Sequence, residues 1–298
     1  QNDFIMKLQT PVTDLPCKVG ISYKDKIMML GSCFSDNIGS RLKNYGFDVC
    51  VNPFGTLYNP ASILSAVRRL LGGECFCEED CMEIGAGDSR TCSFFHHTSF
   101  ARGTQSEFLE NANASLAAAA EFFHKCNKVI ITLGTSWCYR HIGKNMIVSN
   151  CLKRNPKEFI REFLPASRTA AILREIMELC PDKQFIFTVS PIRHFKDGAH
   201  GNQISKASLL LGIEEALAAT PVDLSMNPHY TADYFPAYEI VMDELRDYRF
   251  YAEDMCHPTQ QTADYICERF LDWALPADEQ DTLKENIRAF RHGCHIVK

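Results

Sequence analysis

The sequence predicts an α/β protein in which helices cover both faces of a mostly parallel sheet. Runs of four to six mostly apolar residues alternate along the chain with longer stretches of helical periodicity, as in strands joined by helical crossovers. The 298 residues are 46% hydrophobic and 23% charged, a composition that suits a globular protein with a sizeable core. We therefore expect a three-layer sandwich.

Four segments are predicted to be strands because they are short, apolar and bounded by glycine or polar residues. They are residues 26–30, 48–51, 128–133 and 184–189. Seven segments have helical periodicity, and two of them carry clear start signals: Asn59-Pro60, and a capping box over 104–107. The predicted helices are residues 35–45, 60–71, 105–126, 166–179, 204–218, 258–275 and 281–290.

The domain organisation is expected to be simple, with one domain over residues 1–298. Residues 73–103 lack periodicity and are expected to form a long irregular insertion that could act as a lid. Residues 276–298 would be a C-terminal helical extension. The first five residues precede Met6 and are expected to be a cloning remnant or a disordered N-terminus.

Charge and composition exclude several classes of partner. The net charge is −6 and no basic stripe is present, which argues against nucleic acid. No apolar run approaches the roughly 18 residues of a membrane span. The fourteen cysteines are spread over a long chain of ordinary hydrophobicity, which predicts free thiols and a cytoplasmic location. We expect no cofactor, and the oligomeric state stays open.

Polar, glycine-containing segments follow the predicted strands at the edge where α/β folds bind ligands. These segments are residues 31–34, 52–55, 134–136 and 190–194. The first holds two potential nucleophiles, Ser32 and Cys33, directly before a helix whose free backbone amides can stabilise an oxyanion. Late in the chain, Asp254 precedes His257 by three residues, a spacing that lets the carboxylate orient the imidazole as a general base.

Six ordered motifs carry a family resemblance: GSCFS, NPFGTLYNP, ITLGTSW, SPIRHFKDGAHGNQISK, YFPAYEIVMDELRDYRFY and DMCHP. The chain resembles the GSCFA domain family from about Lys18 to His257 and into the following helix. That family is grouped with the SGNH, or GDSL-like, hydrolases, which are α/β sandwich esterases with Ser, Gly, Asn and His in four sequence blocks.

The resemblance implies that His257 is the general base, that Asp254 orients it, and that the amide of Gly55 serves the oxyanion together with that of Cys33. Two departures stand out. Ser136 stands where the third sequence block of the superfamily has an Asn whose side chain binds the oxyanion. Either Ser136 replaces this Asn in part, or a nearby residue (Thr135, Asn52 or Asn59) binds the oxyanion instead.

The second departure concerns the nucleophile. In frame, Cys33 stands where the superfamily has its nucleophilic Ser, whereas a shift of one residue gives the role to Ser32. The register favours Cys33, which is also expected to be partly ionised near neutral pH beside an imidazolium. Ser32 remains open.

Other motif residues are candidates for binding the substrate. Arg193 could hold an anionic group through paired donors. The remaining candidates are Asn52, Thr135, His194 and His97, the last reaching the site from the irregular insertion. Lys206 and Glu239 are expected to be either site groups or a structural ion pair.

The sequence does not favour a zinc site. Its potential ligands are Cys75, Cys77, Cys81, Cys92, His96 and His97, but their spacing is not the usual paired C-x2-C. We therefore predict no metal.

We expect an acyl ester hydrolase that works through a covalent acyl-enzyme. Its substrate would be a small-molecule or glycan ester, and the resemblance suggests O-acetylated carbohydrate. Two alternatives stay open at this point: an acyltransferase with the same site, and a binding module that has lost activity.

Overall fold

The computed structural model describes residues 9–13, 16–218 and 232–296. At its centre lies a five-stranded sheet in which every pair of neighbouring strands is parallel. Its strands are β1 (Lys26–Gly31), β2 (Asp48–Val51), β5 (Lys128–Leu133), β9 (Gln184–Val189) and β10 (Ala232–Phe235), in the spatial order β10-β9-β5-β1-β2. The four predicted strands are therefore confirmed, and β10 is an additional edge strand.

Eight helices surround the sheet in the described part of the chain. They are α1 (Cys33–Asn44), α2 (Pro60–Gly72), α3 (Gln105–Lys125), α4 (Ala166–Leu179), α5 (Gly198–Ala218), α6 (Ala237–Glu239, followed by a π-helical turn, Ile240–Leu245), α7 (Gln260–Ala274) and α8 (Gln280–Ile296). The predicted start signals are present: Asn59 caps α2, and Thr104 forms a capping box with Glu107 at the start of α3.

Two hydrophobic cores lie on opposite faces of the sheet. On one face, Met28 and Val129 pack in a core that includes Ile172 of α4 and Leu209 of α5. On the other face, Met29 and its neighbours pack with apolar residues of α1 and α7. Alternate residues of the same strands thus enter different cores, which requires strands that are apolar throughout. The predicted three-layer α/β sandwich is confirmed.

The structure differs from the expectation in three places. Helix α1 begins at Cys33 instead of residue 35, and α5 begins at Gly198 instead of residue 204. A second, antiparallel sheet was not foreseen; its strands are β6 (Trp137–His141), β7 (Met146–Val148) and β8 (Phe159–Phe163).

The insertion over residues 73–103 is mostly irregular, as expected. It contains a short antiparallel pair, β3 (Cys81–Glu83) and β4 (Thr91–Ser93), and it buries Phe76 and Phe94 in the main core. Within the described ranges, no helix has the length and apolar character needed to cross a bilayer.

Candidate active site

The site begins where β1 turns into α1. Gly31 has a φ of +144°, and a Cβ at this position would lie 2.2 Å from the carbonyl oxygen of Thr132 on the neighbouring strand, so the turn requires glycine. The amide of Ser32 donates to that same carbonyl at 3.2 Å. The turn is thus fixed against the sheet, and the next residue starts the helix.

Ser32 and Cys33 have different environments. The side chain of Ser32 is fully buried, and its Oγ caps α1 by accepting a hydrogen bond from the amide of Phe34 at 3.3 Å. Cys33 is the first residue of α1 and is partly exposed. Of the two candidate nucleophiles, only Cys33 is accessible to a substrate.

The thiol of Cys33 is held in its neutral form. Burial, and then the nearby Asp36 carboxylate, raise its pKa to about 11, while the amides of Cys33 and Phe34 act in the opposite direction. The expectation of a partly ionised thiol near neutral pH is therefore wrong, because burial of the side chain outweighs the helix N-terminus. A base must remove the proton for Cys33 to react.

Asp254 and His257 form the expected pair in a tight turn. Nδ1 of His257 lies 2.6 Å from Oδ2 of Asp254, and Oδ1 accepts from the amides of Cys256 and His257, both at 2.9 Å. The hydrogen bonds of His257 and Cys256 lower the pKa of Asp254 to about 2. Since this carboxylate is ionised, Nδ1 carries the proton and Nε2 remains the basic nitrogen.

This turn is held against the segment that follows β9. The amide of Arg193 donates to the carbonyl of Cys256 at 3.1 Å, and the Cys256 thiol donates to the carbonyl of Arg193 at 2.6 Å. Nη1 of Arg193 also donates to the carbonyl of Met255 at 3.0 Å. Met255 has a φ of +53°, a conformation that non-glycine residues adopt only when their surroundings impose it.

Cys33 follows β1, and the turn that contains His257 is held against the segment that follows β9, so both residues lie on the carboxyl side of the sheet. Cys256, which directly precedes His257, is near enough to Cys33 to contribute to the rise of its pKa. The hydrogen bonds among the described residues do not include one between Cys33 and His257. Hydrogen bonds between catalytic groups are often long before a substrate binds.

Asn52 lies directly behind the nucleophile turn. Its Oδ1 accepts from the amide of Gly31 at 2.9 Å, and its Nδ2 donates to Asp36 at 2.8 Å. Asn52 itself has a φ of +43°. The side chain that was expected to bind substrate therefore supports the turn that presents Cys33.

Neither of the two predicted oxyanion donors outside the nucleophile turn is free. The amide of Gly55 donates to the carbonyl of Asn52 at 2.8 Å. The hydroxyl of Ser136 is fully buried and donates to the carbonyl of Ser205 in α5 at 3.0 Å. The hydroxyl of Thr135 accepts from the amide of Trp137 at 3.0 Å and lies 3.1 Å from the hydroxyl of Ser205, to which it can donate.

Asn59, the last proposed replacement, is the cap of α2, and its Nδ2 donates to Ser62 at 2.9 Å. In this structure, the candidate oxyanion donors outside the nucleophile turn thus have partners within the protein. What remains is the N-terminus of α1.

His97 reaches the site from the insertion, as expected. A Cβ on Gly55, whose φ is +77°, would lie only 2.4 Å from the Cβ of His97, so the two residues are in close contact. Burial raises the pKa of the Asp36 carboxyl group, and His97 is near enough to oppose this rise. The insertion therefore contributes a side chain to the wall of the site.

His194 is buried beside Tyr58, with ring centroids 6.1 Å apart. Burial, with further contributions from Lys206 and His257, lowers its pKa to about 4, so the ring is neutral. Its Nε2 is buried and has no hydrogen-bond partner among the described residues. His194 is thus a buried polar group of the site that a substrate could satisfy.

Lys206 of α5 is a buried group whose place could not be predicted beyond its presence in a motif. Its side chain is 1% exposed, and Nζ donates to the carbonyls of Gly134 and Ser190, both at 2.7 Å. Burial lowers its pKa to about 7, although Cys256, Asp197 and Cys33 favour the charged form. The expected ion pair with Glu239 is replaced by these two backbone contacts.

An open cleft of about 400 Å³ adjoins the turn that carries His257. Arg193 forms part of its wall and stacks on Phe195, Tyr248 and Tyr251, with 4.6, 5.5 and 5.6 Å from its guanidinium carbon to the ring centroids. Two of these rings are exposed, Tyr248 at 67% and Phe195 at 49%. The cleft therefore presents aromatic surface around Arg193, whose Nη1 donates to the carbonyl of Met255, two residues before His257.

The cysteine-rich insertion does not assemble a metal site. No group of three or more His, Cys, Asp or Glu side chains suited to a metal occurs within the described ranges. His96 is instead buried among aromatic rings, where burial lowers its pKa to about 3, and its Nδ1 bonds to Ser93 at 2.7 Å.

Comparisons with known proteins give one extensive match. The model of the GSCFA family matches residues 26–270, and no match was found among curated proteins. Among solved structures, the chain is similar to an acetyl xylan esterase, Est2A, from the rumen bacterium Butyrivibrio proteoclasticus, with a TM-score of 0.38 and 12% identity. The similarity covers 85% of this chain and 64% of that one. A likeness of this degree carries no information about site residues or substrate.

Proposed function

Because the chain belongs to the GSCFA family, we propose that it is an acyl ester hydrolase with Cys33 as nucleophile and His257 as general base. The observation that carries the proposal is the 2.6 Å contact between Asp254 and His257, in a turn that is held by Arg193 at the carboxyl side of the sheet. This contact fixes the tautomer of the imidazole and leaves Nε2 basic. The choice of Cys33 rests on the burial of Ser32 and its use as a helix cap.

The first half-reaction forms a thioester. Sγ of Cys33 attacks the ester carbonyl carbon while Nε2 of His257 takes the thiol proton. The resulting tetrahedral intermediate collapses, the bond to the ester oxygen breaks, and His257 gives its proton to the leaving alcohol. Because burial raises the pKa of the Cys33 thiol, its attack depends on His257 as the base.

The second half-reaction hydrolyses the thioester. Water attacks the acyl carbon and gives a proton to His257, and the carbon–sulfur bond then breaks. The proton on His257 returns to Sγ of Cys33, so the free acid leaves and the resting enzyme is restored.

The N-terminus of α1 is the proposed oxyanion site. The amides of Cys33 and Phe34 lie where they lower the pKa of the Cys33 thiol, so they already favour negative charge at this position. The first amides of a helix have no acceptor within the helix, and the helix dipole has the same sign. Because the amide of Phe34 already donates to Oγ of Ser32 at 3.3 Å, the amide of Cys33 is the main proposed oxyanion donor in place of Gly55 and Ser136.

The open cleft is the proposed binding site for the alcohol portion of the ester. Exposed rings such as Tyr248 and Phe195 can stack on the C–H face of a sugar, and the amides of Asn202 and Gln203 in the same wall can bond to its hydroxyl groups. An acylated carbohydrate fits this combination of aromatic surface and polar rim.

Acylation by p-nitrophenyl acetate tests the proposal directly. We expect a burst of p-nitrophenol from the wild type and from Ser32→Ala, and no burst from Cys33→Ala. His257→Ala should lower turnover about 10²- to 10⁴-fold. Ser32→Ala should lose about 1 kcal/mol of unfolding free energy because it removes a helix cap. A burst that survives in Cys33→Ala and is absent from Ser32→Ala would reverse the assignment.

A second candidate is a binding module without activity. It is favoured by one observation: the amide of Gly55 and the hydroxyl of Ser136 are both engaged within the protein. A wild type with no burst, and with no acetyl adduct on Cys33 after incubation with p-nitrophenyl acetate, would support this candidate. Mass spectrometry of the peptides separates Cys33 from the other cysteines.

A further inference from the structure

Lys206 is a buried lysine of α5 whose Nζ forms no ion pair with any carboxylate in the described part of the chain. No described carboxylate lies within ion-pair distance of its Nζ, and Glu239 accepts a hydrogen bond from Tyr234 at 2.7 Å. A buried ammonium without a counter-ion is costly and is retained only where its hydrogen bonds are needed. Its two acceptors, the carbonyls of Gly134 and Ser190, indicate what it is needed for.

These two carbonyls belong to neighbouring strands at the point where the strands separate. Leu133 and Val189 are the last paired residues of β5 and β9, and the amide of Ser190 donates to the carbonyl of Leu133 at 2.8 Å. Beyond this point the strands no longer bond to each other. Lys206 donates to the next carbonyl of each strand. Its side chain therefore connects the two strands just beyond their last backbone hydrogen bond.

The strand end at Gly134 supports the nucleophile half of the site. The amides of Gly134 and Thr135 both donate to the carbonyl of Tyr58 at 2.9 Å, and the amide of Leu57 donates to the carbonyl of Gly31 at 2.8 Å. Burial and then the nearby Cys33 raise the pKa of Tyr58, which places this segment close to the nucleophile.

The strand end at Ser190 supports the base half. The hydroxyl of Tyr251 donates to the carbonyl of Pro191 at 3.1 Å, and Arg193 forms its paired contacts with Cys256. The turn from Asp254 to His257 is thus attached to the sheet through the segment that begins at Ser190. Lys206 is common to both halves.

We propose that Lys206 is a positioning residue which, by holding Gly134 and Ser190 together, keeps the start of α1 aligned with the Asp254–His257 pair. Its effect on turnover rests on the proposed function, whereas its effect on the backbone does not. A charged or a neutral amine has at least two N–H groups, so both carbonyls keep a donor in either protonation state. The pKa of about 7 is therefore compatible with this role.

Lys183 provides a control of similar burial, although its Nζ also pairs with the exposed Asp182 at 3.1 Å. It is also buried, at 2% exposed, and its Nζ donates to a backbone carbonyl, that of Cys126, at 2.8 Å. It directly precedes β9 and so lies at the opposite edge of the sheet. Lys183→Met and Lys206→Met each remove a buried ammonium, but only the second touches the site.

Hydrogen–deuterium exchange of the two variants tests the proposal. We expect Lys206→Met to speed exchange about tenfold in peptides covering residues 133–137, 190–194 and 254–258, and Lys183→Met to leave these peptides unchanged. With p-nitrophenyl acetate, kcat of Lys206→Met should fall about 10- to 100-fold at unchanged KM. Lys206→Arg should restore most of both losses, because a guanidinium can donate to two carbonyls.

The proposal is overturned if both Met variants change exchange equally, or if Lys206→Met keeps the kcat of the wild type. Should Lys206→Met not fold, Lys206→Gln is compared with Lys183→Gln by the same exchange measurement and judged by the same criterion. A wild type that turns over no ester contradicts the proposed function, while the exchange result still decides the role of Lys206.

Discussion

The two edges of the central sheet are built from the same strands but differ in how they use polar groups. At the amino edge, Lys26 pairs with Asp48, and Asn127 donates to Asp25 at 2.6 Å. These side chains form hydrogen bonds and ion pairs with one another near the surface. At the carboxyl edge, by contrast, the backbone is strained, because Asn52 and Met255 have positive φ.

The carboxyl edge also contains groups that are not satisfied in the same way. Nε2 of His194 has no hydrogen-bond partner among the described residues, and Cys33 retains a proton that a base must remove. Backbone strain and unpaired polar groups cost stability, and they concentrate where a ligand is to be bound. The polar groups of the amino edge are paired with one another, whereas the carboxyl edge holds the residues of the proposed active site.

The largest difference between the two edges is expected when one carboxylate at each edge is replaced by a neutral amide. Asp254 and Asp48 are both 50% exposed, and each has a cationic or imidazole partner. Asp254→Asn should lower kcat about 10³- to 10⁴-fold, because the imidazole loses the acceptor that fixes its tautomer. Asp48→Asn should leave kcat unchanged. Steady-state kinetics with p-nitrophenyl acetate compares them, and equal losses would contradict the assignment of His257.

A pair of glycine substitutions gives the next largest effect. Gly55 (φ +77°) and Gly73 (φ +64°) both have left-handed backbones, but a Cβ on Gly55 would strike His97, whereas Gly73 has open space. Gly73→Ala should cost about 1–2 kcal/mol of unfolding free energy. Gly55→Ala should cost roughly 1–3 kcal/mol more because of the clash, and should also slow turnover. Denaturant unfolding provides the measurement; equal costs would mean that His97 does not pack as described.

The smallest expected effect concerns the cleft. Tyr248→Ala should raise KM for an acetylated oligosaccharide about tenfold through loss of ring stacking, and leave KM for p-nitrophenyl acetate unchanged. Phe290→Ala removes a partly exposed ring of α8, which stacks edge-on with Tyr45 at the far end of α1, and should change neither value. A uniform rise of KM for both substrates would argue against the cleft as the sugar site.

The main strands and their active edge could be predicted because they depend on local pattern. The apolar runs at 128–133 and 184–189 coincide with β5 and β9, since strands buried on both faces need no alternation. The small sheet of β6, β7 and β8 was missed because its strands are short, mixed in polarity and partly exposed. The first turns of α5 were not predicted, because glycines at positions 198 and 201 are typical of a loop.

The hydrogen-bond partners of the polar groups at this edge could not be predicted, because they are distant in sequence. Ser136 is withdrawn from the oxyanion role by Ser205, 69 residues away. Lys206 finds its two acceptors 72 and 16 residues before it. The motifs indicated that these residues lie near the candidate site. Which carbonyl each side chain bonds to depends on how α5 packs against the strand ends.

The high pKa of Cys33 has a consequence for the durability of the protein. Peroxides and disulfides react with thiolates, and a thiol that ionises only near pH 11 offers them almost none at neutral pH. Burial likewise raises the pKa of most described cysteines, including Cys92, Cys126 and Cys267. Burial is therefore expected to slow the oxidation of most described cysteines, Cys33 included, whereas the exposed Cys75 lacks this protection.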